Sequence, residues 1–319
     1  MYNNVITLTD HLLNERKKSN HDLTIVLHQI ENVSKIIASH IKASGLVDIL
    51  GKAGRTNSFG EEVQKLDDLA NNLLIDTLLT GGQVHTVVSE ENKEPVLASK
   101  ANDGSYNVFF DPLDGSSNID TNCPIGTIFG IYHKKDGILQ PGKNQVAAGY
   151  VIYGSSVMFV YSAGNGVNGF TLDPAIGNFL LSHPNIQIPA DGDTYSINEA
   201  YEHKFEGELL SYLQALKQKK GTSLRYVGSM VADMHRTLIK GGIFIHPINA
   251  TRPNGKLRLT IEVNPFAYLT EQAGGKVLGK DNKNPLSIIP EHIHDRSPII
   301  IGSKKMVDEY QSFYNHLSK

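Results

Sequence analysis

A mixed α/β (α+β) layered fold is predicted by two observations. Some segments carry apolar residues at helical spacing, and others are apolar, aromatic-rich runs of strand length. The two kinds alternate irregularly along the chain, without the regular beat of a simple βα repeat. At 319 residues there is enough chain for a large core and for two lobes sharing one fold.

The elements follow in order. Val26, Ile30, Val33, Ile37 and Ile41 form a helical stripe over Leu23–Ala43, with Asn20 or Asp22 as cap and Gly45 as stop. Gly51–Gly60 is rich in Gly, Ser and Asn and reads as a loop. Glu61–Thr80 reads as a second helix, stopped by Gly81-Gly82. Strands are expected at Val84–Ser89, Tyr106–Phe110, Thr127–Tyr132, Val146–Tyr153 and Val157–Tyr161. Leu180–Asp193 holds Pro184 and Pro189 and no clear period, so a lobe boundary is placed there. Beyond it come a helix near Glu206–Lys219, a helix over Met230–Lys240, and strands at Ile243–His246 and Leu257–Val263. A helix then opens at Asn264-Pro265, with Asn as cap and Pro at its first position, and ends at Gly274-Gly275. Strand Ile299–Ile301 and a terminal helix finish the chain.

Composition excludes several classes. A net charge of −3 argues against a nucleic-acid surface. The one cysteine, Cys123, rules out a disulfide framework and suits a reducing cytosol; a buried packing role is expected for it. No stretch has the apolar length needed to span a bilayer, and Met1–Asp10 lacks the charge-then-apolar pattern of a signal peptide.

The richest chemistry lies in Asp111-Pro112-Leu113-Asp114-Gly115-Ser116-Ser117-Asn118. Two carboxylates three residues apart stand at a strand end. A glycine and two hydroxyls follow, whose N–H and O–H groups can cradle an anion. Carboxylates for a hard cation beside donors for phosphate oxygens are the parts of metal-assisted phosphoryl chemistry. Glu90-Glu91 repeats the pattern of apolar strand followed by acids. Glu262 stands at the expected end of another strand. Such a cluster would repel itself unless divalent cations neutralised it, and an all-oxygen ligand set favours Mg²⁺ or Mn²⁺. Glu61 and Asp67, six residues apart, share no clean helix face and read on spacing alone as surface charges. Lys256 and Arg258 alternate onto one side of a strand, as phosphate ligands or as solvated bases. The histidines, His246 among them, show no metal-ligand spacing.

Taken together these stretches resemble class I fructose-1,6-bisphosphatase over nearly the whole chain. The resemblance is carried by Gly60–Asp67, Val87–Glu91, Phe110–Asn118 with Gly126–Tyr132, Pro141–Tyr150, Ser196–Glu199, Arg225–Arg236 and Pro253–Arg258. The Asp-Pro-x-Asp-Gly motif alone is shared with the wider lithium-sensitive, Mg²⁺-dependent phosphatases; the second-half motifs select the bisphosphatase. The resemblance implies an αβαβα sandwich. Residues 1–190 would form a lobe with the metal and phosphate motif and an AMP site, and residues 191–319 a sugar-phosphate lobe. It implies hydrolysis of D-fructose 1,6-bisphosphate in gluconeogenesis, with sedoheptulose 1,7-bisphosphate as the alternative or second substrate and an inactive regulatory homologue as the other rival. A cytoplasmic homotetramer is implied, with two or three Mg²⁺ per subunit and no nucleic-acid or membrane partner.

The implied roles are specific. Glu90, Asp111, Asp114, Glu262 and the Leu113 carbonyl resemble the metal shell, with Glu61 joining it from a mobile loop. Asp67 and Glu91 resemble the pair that polarises the attacking water, which overrides the surface reading of Asp67. Asp114, Gly115, Ser116 and Ser117 would meet the 1-phosphate. Asn198, Tyr201, Tyr226, Lys256 and Arg258 would hold the sugar and 6-phosphate, with Arg225 reaching across a subunit interface. Two departures stand out. His246 replaces a tyrosine on the 6-phosphate, which brings pH into substrate binding. In the AMP region, Asn20-His21-Asp22-Leu23-Thr24, Asn20 and His21 replace a threonine and a glycine, while Ser105 and His133 stand where a lysine and an arginine are usual, which predicts a weak AMP response.

Overall fold

Alternation of side chains across strands builds the core in layers. The computed structural model describes residues 5–15, 21–43, 52–56, 62–205 and 207–317. The larger sheet contains β4 (Val96–Leu97), β3 (Val84–Ser89), β5 (Tyr106–Asp114), β6 (Ile125–His133), β7 (Gln145–Tyr153), β8 (Val157–Ser162), β9 (Val167–Asp173) and β10 (Asn178–Ile186), in that spatial order. All its pairings are antiparallel except β3 with β5. The smaller sheet runs β12 (Ser223–Leu224), β11 (Thr194–Ser196), β13 (Ile243–His246), β17 (Ile299–Gly302) and β15 (Lys276–Leu278). Two short antiparallel pairs complete the strands: β1 (Lys52–Thr56) with β2 (Glu62–Gln64), and β14 (Leu257–Arg258) with β16 (Arg296–Ser297).

On one face of the large sheet, Val108, Phe110, Phe129, Ile131 and Val151 pack against α1 (Leu8–Glu15), α2 (His21–Ala43) and α3 (Lys65–Thr80). Their strand neighbours Ile128, Ala148, Tyr150 and Ile152 point the other way. They meet α5 (Met230–Lys240), α6 (Asn264–Gln272) and one face of the smaller sheet through Phe244, Ile299 and Ile301. Ile243, Ile245 and Ile300, on the far face of that sheet, pack on α4 (Gly207–Gln218) and α7 (Lys304–Leu317). The layers are therefore helix, sheet, helix, sheet, helix, the expected αβαβα sandwich.

Several local expectations need correction. The loop expected over Gly51–Gly60 contains β1, and the helix expected from Glu61 starts at Lys65, after β2. Cys123, expected to be buried, is exposed. Glu61 and Asn20 lie outside the described residues. Leu180–Asp193 contributes most of β10, through Ile186, so no break in structure marks Leu180. Leu257–Val263 is a strand only for Leu257–Arg258; Leu259–Val263 is wound as a π-helical turn that runs straight into α6. Asn264 already has helical dihedrals and does not cap. Every residue of that turn is buried, so apolar content alone could not separate strand from helix there.

Candidate active site

The parallel register of β3 and β5 places the first acids. Ser89 pairs with Phe110, and the Glu90 N–H donates to the Phe110 carbonyl at 3.0 Å. One residue further on, Glu90 lies beside Asp111. The β5–β6 register shifts between Asp111 and Asp114, so the strand bulges where Pro112 cannot donate to a ladder. The acids thus sit inside a bulged strand end, and the turn begins only at Gly115. Gly115 has φ +78°, and a Cβ there would lie 2.5 Å from that of Ser229. This close approach brings the start of α5 onto Asp114. Ser229 Oγ donates to Asp114 Oδ2 at 2.6 Å and the Val231 N–H donates to the same oxygen at 2.8 Å.

Glu262 arrives from the π-helical turn, where its Oε2 accepts from the Arg258 N–H at 2.5 Å. Ligating oxygens of Asp111, Asp114 and Glu262 lie within 4.8 Å of one another, and all three residues are buried. Burial raises Asp111 well above the usual carboxylate range, and the charges of Glu90 and Asp114 push it further. Burial takes Asp114 to about 6, against the opposing hydrogen bonds from Ser229 and Val231. Glu262 rises to about 8, through burial and then the charge of Glu90, with Arg258 pulling the other way. Three buried carboxylates that resist ionisation, with only oxygen donors, fit a hard divalent cation, which would remove both the desolvation and the repulsion. Glu90 adjoins this trio and shares a side-chain hydrogen bond with Asp111. Its carboxylate accepts from Arg258 Nη1, and that guanidinium is itself buried.

A cavity of about 360 Å³ opens over the carboxylates. Glu90, Asp111, Leu113, Asp114 and Glu262 line it, together with Gly115, Ser116 and Ser117. Asp67, buried in the first turn of α3, and Glu91 line it too, so the surface reading of Asp67 from spacing fails. A helix position says nothing about what packs over it. Here α3 is strapped to the end of β3: Ser89 Oγ donates to Asn71 Oδ1 at 2.6 Å, and Asn71 Nδ2 donates to Asn92 Oδ1 at 3.0 Å.

A second cavity of about 260 Å³ adjoins the first and shares Tyr226, His246 and Lys256 with it. Asn198 and Tyr201 line the second cavity, and Arg258 the first. Arg225 lines neither; its Nη1 donates to the Leu224 carbonyl at 3.1 Å. Burial, then the charges of Lys256 and Arg252, push the His246 imidazole down to about 4. Burial beside two cations favours the neutral imidazole, whereas a phosphate dianion bound there would favour the charged form. Ser229, Lys204 and Arg252 also reach these cavities and were not nominated from the sequence. Gly228-Ser229 before an apolar helix was a readable cap signal for the first. Nothing local marked the other two.

The family model "Fructose-1-6-bisphosphatase, N-terminal domain" matches residues 6–184, and the corresponding C-terminal domain model matches residues 188–315. This chain belongs to the fructose-1,6-bisphosphatase family. It is 54% identical over 311 residues to fructose-1,6-bisphosphatase class 1 of Persephonella marina, covering 95% of this chain and 96% of that protein. It is 46% identical over 328 residues to the cytosolic fructose-1,6-bisphosphatase of Brassica napus, covering 98% and 96%. Among solved structures, Leishmania major fructose-1,6-bisphosphatase in holo form superposes with a TM-score of 0.93 at 38% identity, covering 98% of this chain and 100% of that one. The fructose-1,6-bisphosphatase family is one of metal-dependent phosphatases, and the buried acidic trio accords with that. No helix among the described residues is long and apolar enough to cross a membrane.

Proposed function

We infer that this chain hydrolyses D-fructose 1,6-bisphosphate to D-fructose 6-phosphate and phosphate, the reaction of gluconeogenesis. The observation that carries the reading is a cleft with buried carboxylates at one end and cationic residues at the other. Asp111, Asp114 and Glu262, with Glu90, Glu61 and the Leu113 carbonyl, would hold two or three Mg²⁺ or Mn²⁺. Bound there, the cations would supply Lewis-acid stabilisation of phosphoryl charge and acidify water.

The chain's own residues then divide the work. Gly115, Ser116 and Ser117 receive the 1-phosphate with backbone and hydroxyl donors. Asp67 and Glu91 orient the attacking water and accept its proton as its oxygen bonds to phosphorus and the bond to the C1 oxygen breaks. Asn198, Tyr201, Tyr226, His246 and Lys256 hold the sugar and 6-phosphate, fixing the reacting end by binding energy from the remote end. Arg258 pins Glu90 in the cleft wall. Residues 1–190 act as the lobe of the metal and 1-phosphate, and 191–319 as the lobe of the sugar; a cytoplasmic homotetramer is the working assembly.

Phosphate release from fructose 1,6-bisphosphate, with and without Mg²⁺, tests the reading. Mg²⁺-dependent turnover is expected; no turnover at saturating Mg²⁺ would overturn it. Sedoheptulose 1,7-bisphosphate run in parallel separates the two sugars by kcat/KM. Addition of AMP to the same assay is expected to inhibit weakly. Inhibition at micromolar AMP would show that other residues replace the basic partners missing at Ser105 and His133.

A further inference from the structure

We propose that Arg252 is a further substrate-binding residue, a guanidinium supplied within the subunit to the terminal phosphate of the sugar bisphosphate. This inference rests on the hydrolase reading and extends it. Three cations, Lys204, Arg252 and Lys256, line the second cavity, and no carboxylate does. Lys204 is already engaged, its ammonium 5.0 Å above the Tyr201 ring. Arg252 makes no ion pair among the described residues. A side chain with five donors at the mouth of a carboxylate-free cavity is suited to an anion from outside the chain.

The backbone aims it there. Asn249 Oδ1 accepts from the Thr251 N–H at 3.0 Å, from Thr251 Oγ1 at 2.8 Å and from the Arg252 N–H at 3.0 Å. The Arg252 carbonyl accepts from the Gly255 N–H at 3.0 Å. Gly255 has φ +83°, and a Cβ there would lie 2.5 Å from the Ser297 carbonyl carbon, so the loop is pressed onto β16. Arg252 and Lys256 are thereby held on one cavity, facing His246, whose Nδ1 is buried without a hydrogen-bond partner among the described residues. A phosphate dianion entering here would meet one point charge from Lys256, a planar fork from Arg252 and an imidazole with unused hydrogen-bonding capacity.

Arg252→Ala should raise KM for fructose 1,6-bisphosphate by about tenfold or more, the worth of a lost charge-assisted hydrogen bond. The decisive readout is competitive inhibition by two sugar monophosphates. The Ki of fructose 6-phosphate, which keeps the terminal phosphate, should rise by a similar factor. The Ki of fructose 1-phosphate, which lacks it, should stay put, and Arg252→Lys should recover part of the loss. An unchanged fructose 6-phosphate Ki, or equal weakening of both inhibitors, would overturn the proposal. Should the alanine variant fail to fold, Arg252→Gln keeps most of the stem and gives the same comparison. Wild-type protein without turnover of the bisphosphate would instead sink the hydrolase reading itself.

Discussion

His235 and His246 both sit where an imidazolium is poorly tolerated. Burial takes each from 6.5 down to about 4, aided at His235 by the charge of His183 and at His246 by Lys256 and Arg252. Between those values the unfolded chain binds a proton that the folded chain refuses. Stability contributed by these residues is therefore complete above pH 6.5 and is lost as pH falls toward 4, by roughly 2–3 kcal/mol per imidazole. The buried acids act in the opposite sense in cation-free protein, since their raised values favour the folded state at low pH. A difference measurement isolates the imidazole. Denaturant unfolding at pH 7 and pH 5 should show a smaller acid-side loss in His235→Gln than in wild type, with glutamine still able to bond the Tyr150 hydroxyl that now lies 2.8 Å from Nδ1. Equal losses would remove His235 from the acid lability. At this same scale, Asp111 and Asp114 were legible because one short motif holds acids, a chain-fixing proline and anion donors together. Arg252 was not, because its relevance depends on a cavity assembled from four separate stretches of chain.

Met230–Lys240 and Ile243–His246 match the expected bounds because Ser229 caps the helix and Gly241 closes it, just before the strand begins. β9 and β10 escaped detection since their register slips twice and His183, Pro184 and Asn185 interrupt the alternation. The π-helical turn at Leu259–Val263 escaped for the opposite reason, burial on every side. Its consequence is functional: it carries Glu262 toward Asp111 and Asp114 from a helical approach, not from a strand end. The contact between the Gly115 turn and the start of α5 is the other element-scale device. Gly115→Ala should lose about 1–3 kcal/mol, because φ +78° disfavours a Cβ and that Cβ would strike Ser229. It should also lower kcat, because Ser229 would move off Asp114. Thermal unfolding and steady-state kinetics check both, and an unchanged kcat would mean that the Ser229–Asp114 bond is irrelevant to turnover.

At the scale of the molecule, the cleft lies where the bulged end of β5, the start of α5 and the segment around β14 meet, between the two sheets. Neither sheet alone brings Asp114 to Glu262. Arg225 is the one nominated substrate contact that stays out of its own cleft. If it serves a neighbour in a homotetramer, Arg225→Ala protein mixed with subunits inactivated at Asp114 should yield oligomers whose activity departs from the sum of the parts; strict additivity would end that idea. The acids themselves are put to the test by the turnover of Asp114→Asn at saturating Mg²⁺. Asparagine keeps an oxygen for Ser229 and Val231 but removes the charge that would help hold the cation and stabilise phosphoryl transfer. The prediction is a fall in kcat on fructose 1,6-bisphosphate of at least about a hundredfold, with cation-free thermal unfolding undiminished. Turnover close to wild type would contradict the assignment of the buried carboxylate trio as the catalytic centre.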